Sequence, residues 1–197
     1  EVGGPGKARE HFEEALASVP GDVGLNIDLG LAFEQLGMPE QAREQYLKAI
    51  DLNPQYFRPY VNLGNMAFGY GNDAIALEQY EKGFQVAPNI PEPAARLARF
   101  LSTTPVAELR QGERAVALAE AANEMSMGNS AVVLDTLAAA YACVEEYPMA
   151  MAAALQAKKR ASLDGNRGLA EQIQKRWALY ATNQPYVQER LVEPQGE

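Results

Sequence analysis

Histidine, cysteine and tryptophan are nearly missing from these 197 residues, with one of each. A single thiol, Cys143, excludes an internal disulfide and a multi-thiolate metal site. It reads as a small buried hydrophobe. The one histidine, His11, stands among Glu10, Glu13 and Glu14 and reads as a surface residue. No Ser-His-Asp or Cys-His set can be assembled around it. CxxC, CxxCH, HExxH and P-loop patterns are absent, and no glycine-rich phosphate motif follows a strand. Carboxylates are plentiful but fall at solvent spacing on helical stretches, and nothing selects a pair for acid–base work. No catalytic residue, metal site or cofactor is therefore expected.

Long apolar runs are also lacking. The densest stretch, residues 147–157, follows Glu145 and Glu146 and falls far short of the ~20 residues a membrane span needs. Basic residues are scarce: 17 against 26 acidic ones, for a net charge of −9. Binding a phosphate backbone needs clustered Lys and Arg, so nucleic acid is not an expected partner. The acidic excess lies mainly in residues 1–90, with 6 basic and 13 acidic side chains. Lys158, Lys159, Arg160, Arg167, Lys175 and Arg176 form a local basic cluster that reads as a solvated helix face. The sequence opens at Glu1 rather than Met and has no signal-peptide pattern, which reads as a processed or cut piece.

What is present is a repeat. Pro20, Pro54 and Pro88 are spaced by 34, as are Ala8, Ala42 and Ala76, and Phe12, Tyr46 and Tyr80. Leu29-Gly30 recurs 34 residues on as Leu63-Gly64. Such a period accommodates two helices of about 14 residues and two short turns. The Leu-Gly pair belongs to the first helix of each hairpin (A). Ala42 and Ala49, then Ala76 and Gly83, lie seven apart on one face of the second helix (B). Small side chains are needed where the helices cross closely, the tyrosine between them fills the wider gap, and the proline closes the unit.

These residues resemble the tetratricopeptide repeat (TPR) family. Its small-aromatic-small-Pro series is present as Ala42, Tyr46, Ala49 and Pro54, after Leu29, Gly30 and Phe33. The next repeat supplies Tyr60, Leu63, Gly64, Ala76, Tyr80, Gly83 and Pro88, with Gly83 where the family usually has Ala. Leu97-Ala98 continue the column. The register then slips, and Ala115, Ala119 and Ala122 arrive five residues late. Leu137, Ala138 and Tyr141, then Ala150, Ala154 and Ala157, mark a last hairpin. The resemblance implies an all-α, right-handed superhelical stack of antiparallel helix pairs closed by a C-terminal capping helix.

Within one solenoid over 1–197, the expected parts are a half repeat at 6–19 and repeats at 23–54, 57–88, 91–128 and 131–162. An insertion falls near 102–111, where Thr104-Pro105 predicts a short helical turn. A capping helix over 166–182 starts at Asn166 and carries the stripe Leu169, Ile173, Trp177 and Tyr180. The tail, 183–197, is expected to be loose. The half repeat leaves an apolar face for upstream repeats or self-association.

The stretches Glu108–Ala115, Asp135–Tyr141, and Leu179-Tyr180 with Pro185-Tyr186 are similar to a narrower set of bacterial multi-repeat proteins. Some of these are attached to membrane-embedded or extracytoplasmic parts, so a bacterial, extracytoplasmic or membrane-associated setting is implied.

The family resemblance also implies that the A helices line a concave groove. Counting these from Val23, Phe57, Pro91 and Ala131 gives the lining: Ile27, Asp28 and Leu31; Arg58, Val61, Asn62, Asn65 and Phe68; Arg96 and Arg99; and Asp135. Asn can serve a peptide backbone and Arg can hold a carboxylate. Chaperone-binding members hold a C-terminal carboxylate with a Lys/Asn set, of which only Asn62 and Arg96 are matched. The expected function is a non-catalytic scaffold that takes a peptide or helix of a protein partner in this groove. The alternative is a targeting or assembly segment of a larger enzyme, membrane protein or filament, working through its open N-terminal face.

Overall fold

The computed structural model describes residues 4–190 and, among the described residues, contains ten α-helices, one 3₁₀ turn and no strand. The helices are α1 (Pro5–Ser18), α2 (Val23–Gln35), α3 (Pro39–Leu52), α4 (Phe57–Gly69), α5 (Asp73–Val86), α6 (Pro91–Thr103), α7 (Gly112–Met125), α8 (Ala131–Cys143), α9 (Tyr147–Leu163) and α10 (Arg167–Tyr180). Three starts are fixed by side chains that accept a hydrogen bond from the first turn. Asp22 Oδ1 takes the Leu25 N–H at 2.8 Å, Ser130 Oγ that of Val133 at 3.3 Å, and Asn166 Oδ1 that of Leu169 at 3.1 Å. Pro39, Pro91 and Pro148 lie in the first turns of α3, α6 and α9, where no N–H is needed.

The helices pair as antiparallel neighbours: α2 with α3, α4 with α5, α6 with α7, α8 with α9, and α10 against α9. The seams are built from alanine. Ala42, Ala49, Ala76, Ala115, Ala119, Ala122, Ala150, Ala154 and Ala157 are all completely buried. Three A-to-B turns share one form. Met38 N–H reaches back to Phe33 O, Asn72 N–H to Ala67 O, and Glu146 N–H to Tyr141 O. Each turn places one residue at positive φ: Gly37 at 71°, Gly71 at 78° and Glu145 at 63°.

The chain divides into two compact units between Ala87 and Pro88. In the first, Ile27, Leu29, Phe33, Ala42, Tyr46, Ala49 and Leu63 form one buried cluster, joined by the half-buried Phe12 and Leu16 of α1. In the second, α8 is the hub: it packs on α6, α7 and α9 and is buried nearly all round, as its sequence AVVLDTLAAAYAC requires. The insertion after α6 is a 3₁₀ turn at Ala107–Leu109, and the Gln111 N–H returns to Leu101 O at 3.0 Å.

Residues 183–190 are not loose as expected. Gln188 N–H donates to Thr103 O at 2.8 Å, and Thr103 Oγ1 lies 3.3 Å from Gln188 Oε1. A polar strap therefore ties the segment after α10 to the end of α6. The rest of the expected tail, 191–197, lies outside the described residues.

Candidate functional site

In the first unit, the A helices are α2 and α4. Their exposed side chains include Asp28 and Leu31 on α2 and Arg58 on α4, with Asn62 and Asn65 half-buried. Arg58, Asn62 and Asn65 share a helix face by their spacing. Asn65 is partly committed, because its Oδ1 accepts the Tyr80 hydroxyl at 2.8 Å. Three predicted lining residues are not available to a partner. Ile27 belongs to the main cluster, Val61 packs with Phe57 and Ala87, and Phe68 is 6% exposed. Apolar side chains at these positions turn into the helix seams, where water is excluded.

The hydroxyls of the seam tyrosines also find partners. Tyr46 donates to Glu34 Oε1 at 2.7 Å, and Tyr141 to Glu120 Oε1 at 2.7 Å. Burial raises the Glu34 carboxyl, and the bond from Tyr46 opposes that rise. Tyr141 is pushed up to about 12, by burial first and then by its bond to Glu120.

The second unit holds the most polar interior. Asp135 on α8 is 2% exposed and accepts from two arginines. Arg99 Nη1 of α6 lies 2.5 Å from Oδ2. Arg176 of α10 places Nε 2.9 Å from Oδ1 and Nη2 2.8 Å from Oδ2. Burial works against the Arg99 charge, and Asp135 more than restores it, so its pKa stands above the ordinary value. Arg99 and Asp135 are thus bound to each other, and only Arg96 of the predicted trio in this unit is freely exposed. Arg176, expected on a solvated face, is 7% exposed because it reaches inward to this carboxylate.

The Tyr186 ring lies under both guanidinium groups, its centroid 5.5 Å from Arg99 Cζ and 5.3 Å from Arg176 Cζ, within cation–π range. Tyr180 is completely buried beside them, and its hydroxyl has no hydrogen-bond partner among the described residues. Burial, and then Asp135, push that hydroxyl far above its usual range. Sequence reading misses Arg176, Tyr180 and Tyr186 as a set. The Leu179-Tyr180 and Pro185-Tyr186 stretch is visible, but nothing in it says which charges it meets.

A separate cavity of about 750 Å³ opens on the B-helix side of the first unit, between α3 and α5 over α4. Leu47, Met66, Tyr70 and Ile75 line it, with Arg43 and Lys82 among its polar residues. Among the described residues, no group of three or more His, Cys, Asp and Glu side chains could hold a metal. Cys143 is half-buried, its thiol raised by burial against a lowering by Arg110. No helix of the described residues is long and apolar enough to cross a membrane.

Residues 23–56 match the tetratricopeptide repeat family model. No curated protein sequence matches the chain. Among solved structures, TTC0263, a thermophilic TPR protein of Thermus thermophilus, is 20% identical at a TM-score of 0.66, over 88% of this chain and 89% of that one. YrrB, described as a TPR protein with an unusual peptide-binding site, is 17% identical at 0.60, over 87% and 92%. The TPR2AB domain of yeast Sti1, solved as a complex with pHSP90, is 18% identical at 0.54, over 90% and 79%. At these identities the likeness shows the fold. With the 34-residue columns and their alanine seams, that fold is an all-α stacking of antiparallel helix pairs of the tetratricopeptide-repeat kind.

Proposed function

We propose that this chain is a non-catalytic scaffold whose A-helix faces hold an extended peptide or helix of a protein partner. The observation that carries the reading is the polar set on α4. Arg58 is exposed and Asn62 is half-buried on one face, beside Asn65, whose Oδ1 already serves the Tyr80 hydroxyl. Asp28 and Leu31 on α2 extend the accessible surface of that unit, and Arg96 offers an exposed cation in the other. Of the proteins that share the fold, YrrB is described as having an unusual peptide-binding site, and the Sti1 domain was solved as a complex with pHSP90. An affinity of roughly micromolar, about −8 kcal/mol, suits such a surface.

Arg99 is unsuitable as a probe of this reading, because reversing its charge would also break the bond to Asp135. The test uses Arg58→Glu with Arg96→Glu, and Leu47→Asp on the B-helix side as the control. Partner capture from the source cells is expected to fall at least tenfold in the double variant and to hold in the control. Capture unchanged by the double substitution sinks the proposal.

A further inference from the structure

Residues 184–190 have no regular secondary structure, yet from Pro185 to Arg190 their side chains alternate along the second unit. Tyr186, Gln188 and Arg190 are half-buried, whereas Pro185, Val187 and Glu189 are exposed. A period of two is how an extended peptide presents itself to a surface, with every other side chain turned in. The contacts match that mode. Tyr186 places its ring against Arg99 and Arg176. Two residues on, Gln188 donates its backbone N–H to Thr103 O, a bond that any residue except proline could make. Gln188 Oε1 lies 3.3 Å from the Thr103 hydroxyl, whose proton is held by Arg99 O at 2.6 Å, so the main-chain bond is the one that fastens this position.

The surface is prepared for this. Asp135 holds both guanidinium groups in place through bonds of 2.5 to 2.9 Å, so they spend little rotamer freedom on meeting a ring. Two cations against one carboxylate leave the cluster net positive, which favours the electron-rich face of an aromatic ring. Thr103 is fully buried, its hydroxyl bonded to Arg99 O. Nothing in these contacts needs a covalent link between surface and segment; the link only raises local concentration, to around millimolar for a short tether.

We propose that this A-helix face of the second unit is a binding site for an extended peptide that carries an aromatic residue. Residues 185–190 are its occupant in cis, exchangeable for a partner segment of the same pattern. This deepens the scaffold reading and rests on it, but its test uses none of the Arg58 or Arg96 surface, so the two can fail separately.

The probe is a fluorescently labelled peptide of residues 183–190, added to the full chain and to its Tyr186→Ala and Tyr186→Phe variants. A site filled in cis weakens apparent affinity by the fraction of chains that are open. Binding to Tyr186→Ala is therefore expected to be at least tenfold tighter than to the unsubstituted chain. Tyr186→Phe keeps the ring and should stay closed. A peptide with alanine in place of its tyrosine should bind the open variant at least tenfold more weakly. Equal binding to all three chains, no binding to the alanine variant at millimolar peptide, or indifference to the peptide's tyrosine overturns the proposal. The unsubstituted chain gives an independent readout, free of any effect of mutation on folding. Millimolar peptide should speed hydrogen exchange at the Gln188 amide at least threefold, and an unchanged rate also overturns it.

Discussion

Gly64 lies flat against the ring of Tyr80: a Cβ built on it would stand 2.8 Å from both Cδ1 and Cε1. Gly30 meets Tyr46 in the same way one repeat earlier. Helix A can approach helix B this closely only because the glycine has no side chain. The tyrosine cannot swing aside, since it is 6% exposed and its hydroxyl is held by Asn65. Gly64→Ala is expected to destabilise the chain by about 1–2 kcal/mol even after the gain in helix propensity. Gly83 is the opposite case. A Cβ there would meet Val61 Cγ2 at 3.4 Å, ordinary contact, and the backbone is plain helix. Gly83→Ala is expected to stabilise by about 0.5–1 kcal/mol. Thermal melts of the two variants should move in opposite directions.

Asp135→Asn keeps the shape of the side chain and removes the charge that two arginines share. Asp135 and Arg176 are 3% and 8% exposed at the side chain. Stripping one partner from a buried pair leaves uncompensated charge, so the loss should be about 3–5 kcal/mol. The midpoint of urea unfolding should fall accordingly. The fall should persist at 0.5 M salt, because screening acts weakly on buried pairs.

Glu34 gives a pH signature of defined sign. Burial raises its carboxyl in the folded state above the value in the unfolded chain. The folded state then binds more protons than the unfolded one in the window just above the ordinary carboxylate value, so stability from this group falls as pH rises through that window. Glu34→Gln retains an acceptor for the Tyr46 hydroxyl and removes the titration. The variant should be more stable than the parent at pH 7, and the difference should shrink toward pH 4. Denaturation curves at the two pH values check it; a gap that grows on acidification contradicts the assignment.

The turn between α8 and α9 carries Glu145 at φ 63°, where the two preceding hairpins of this turn form carry Gly37 and Gly71. A left-handed backbone costs an ordinary L-residue roughly 1 kcal/mol. Glu145→Gly should recover part of that cost, and a rise in melting temperature of a few degrees is the expected reading.

Much of the fold is legible because its contacts repeat. Gly30 with Tyr46 and Gly64 with Tyr80 are one contact at two points on the chain, so the sequence shows it as columns 34 apart. The Asp135 network has no such echo. Arg176 meets a carboxylate 41 residues away and Arg99 one 36 away, and each contact occurs once. By sequence, Arg99 reads as a groove cation and Arg176 as a solvated one, because charge alone does not reveal which carboxylate a side chain will find. Ile27 and Val61 are misplaced for a related reason. Position on an A helix fixes a direction to within one turn, and the seam and the open face lie less than a turn apart.

A stack whose members touch only their neighbours ordinarily opens from its free end, one helix at a time. The Thr103–Gln188 bond joins residues 85 apart and carries the chain beyond α10 back to α6. Unzipping of α10 must therefore release that fastening first, which couples both edges of the second unit into one cooperative block. Amide protection in α10 should then track that of α6 more closely than its place at the edge of the pile implies.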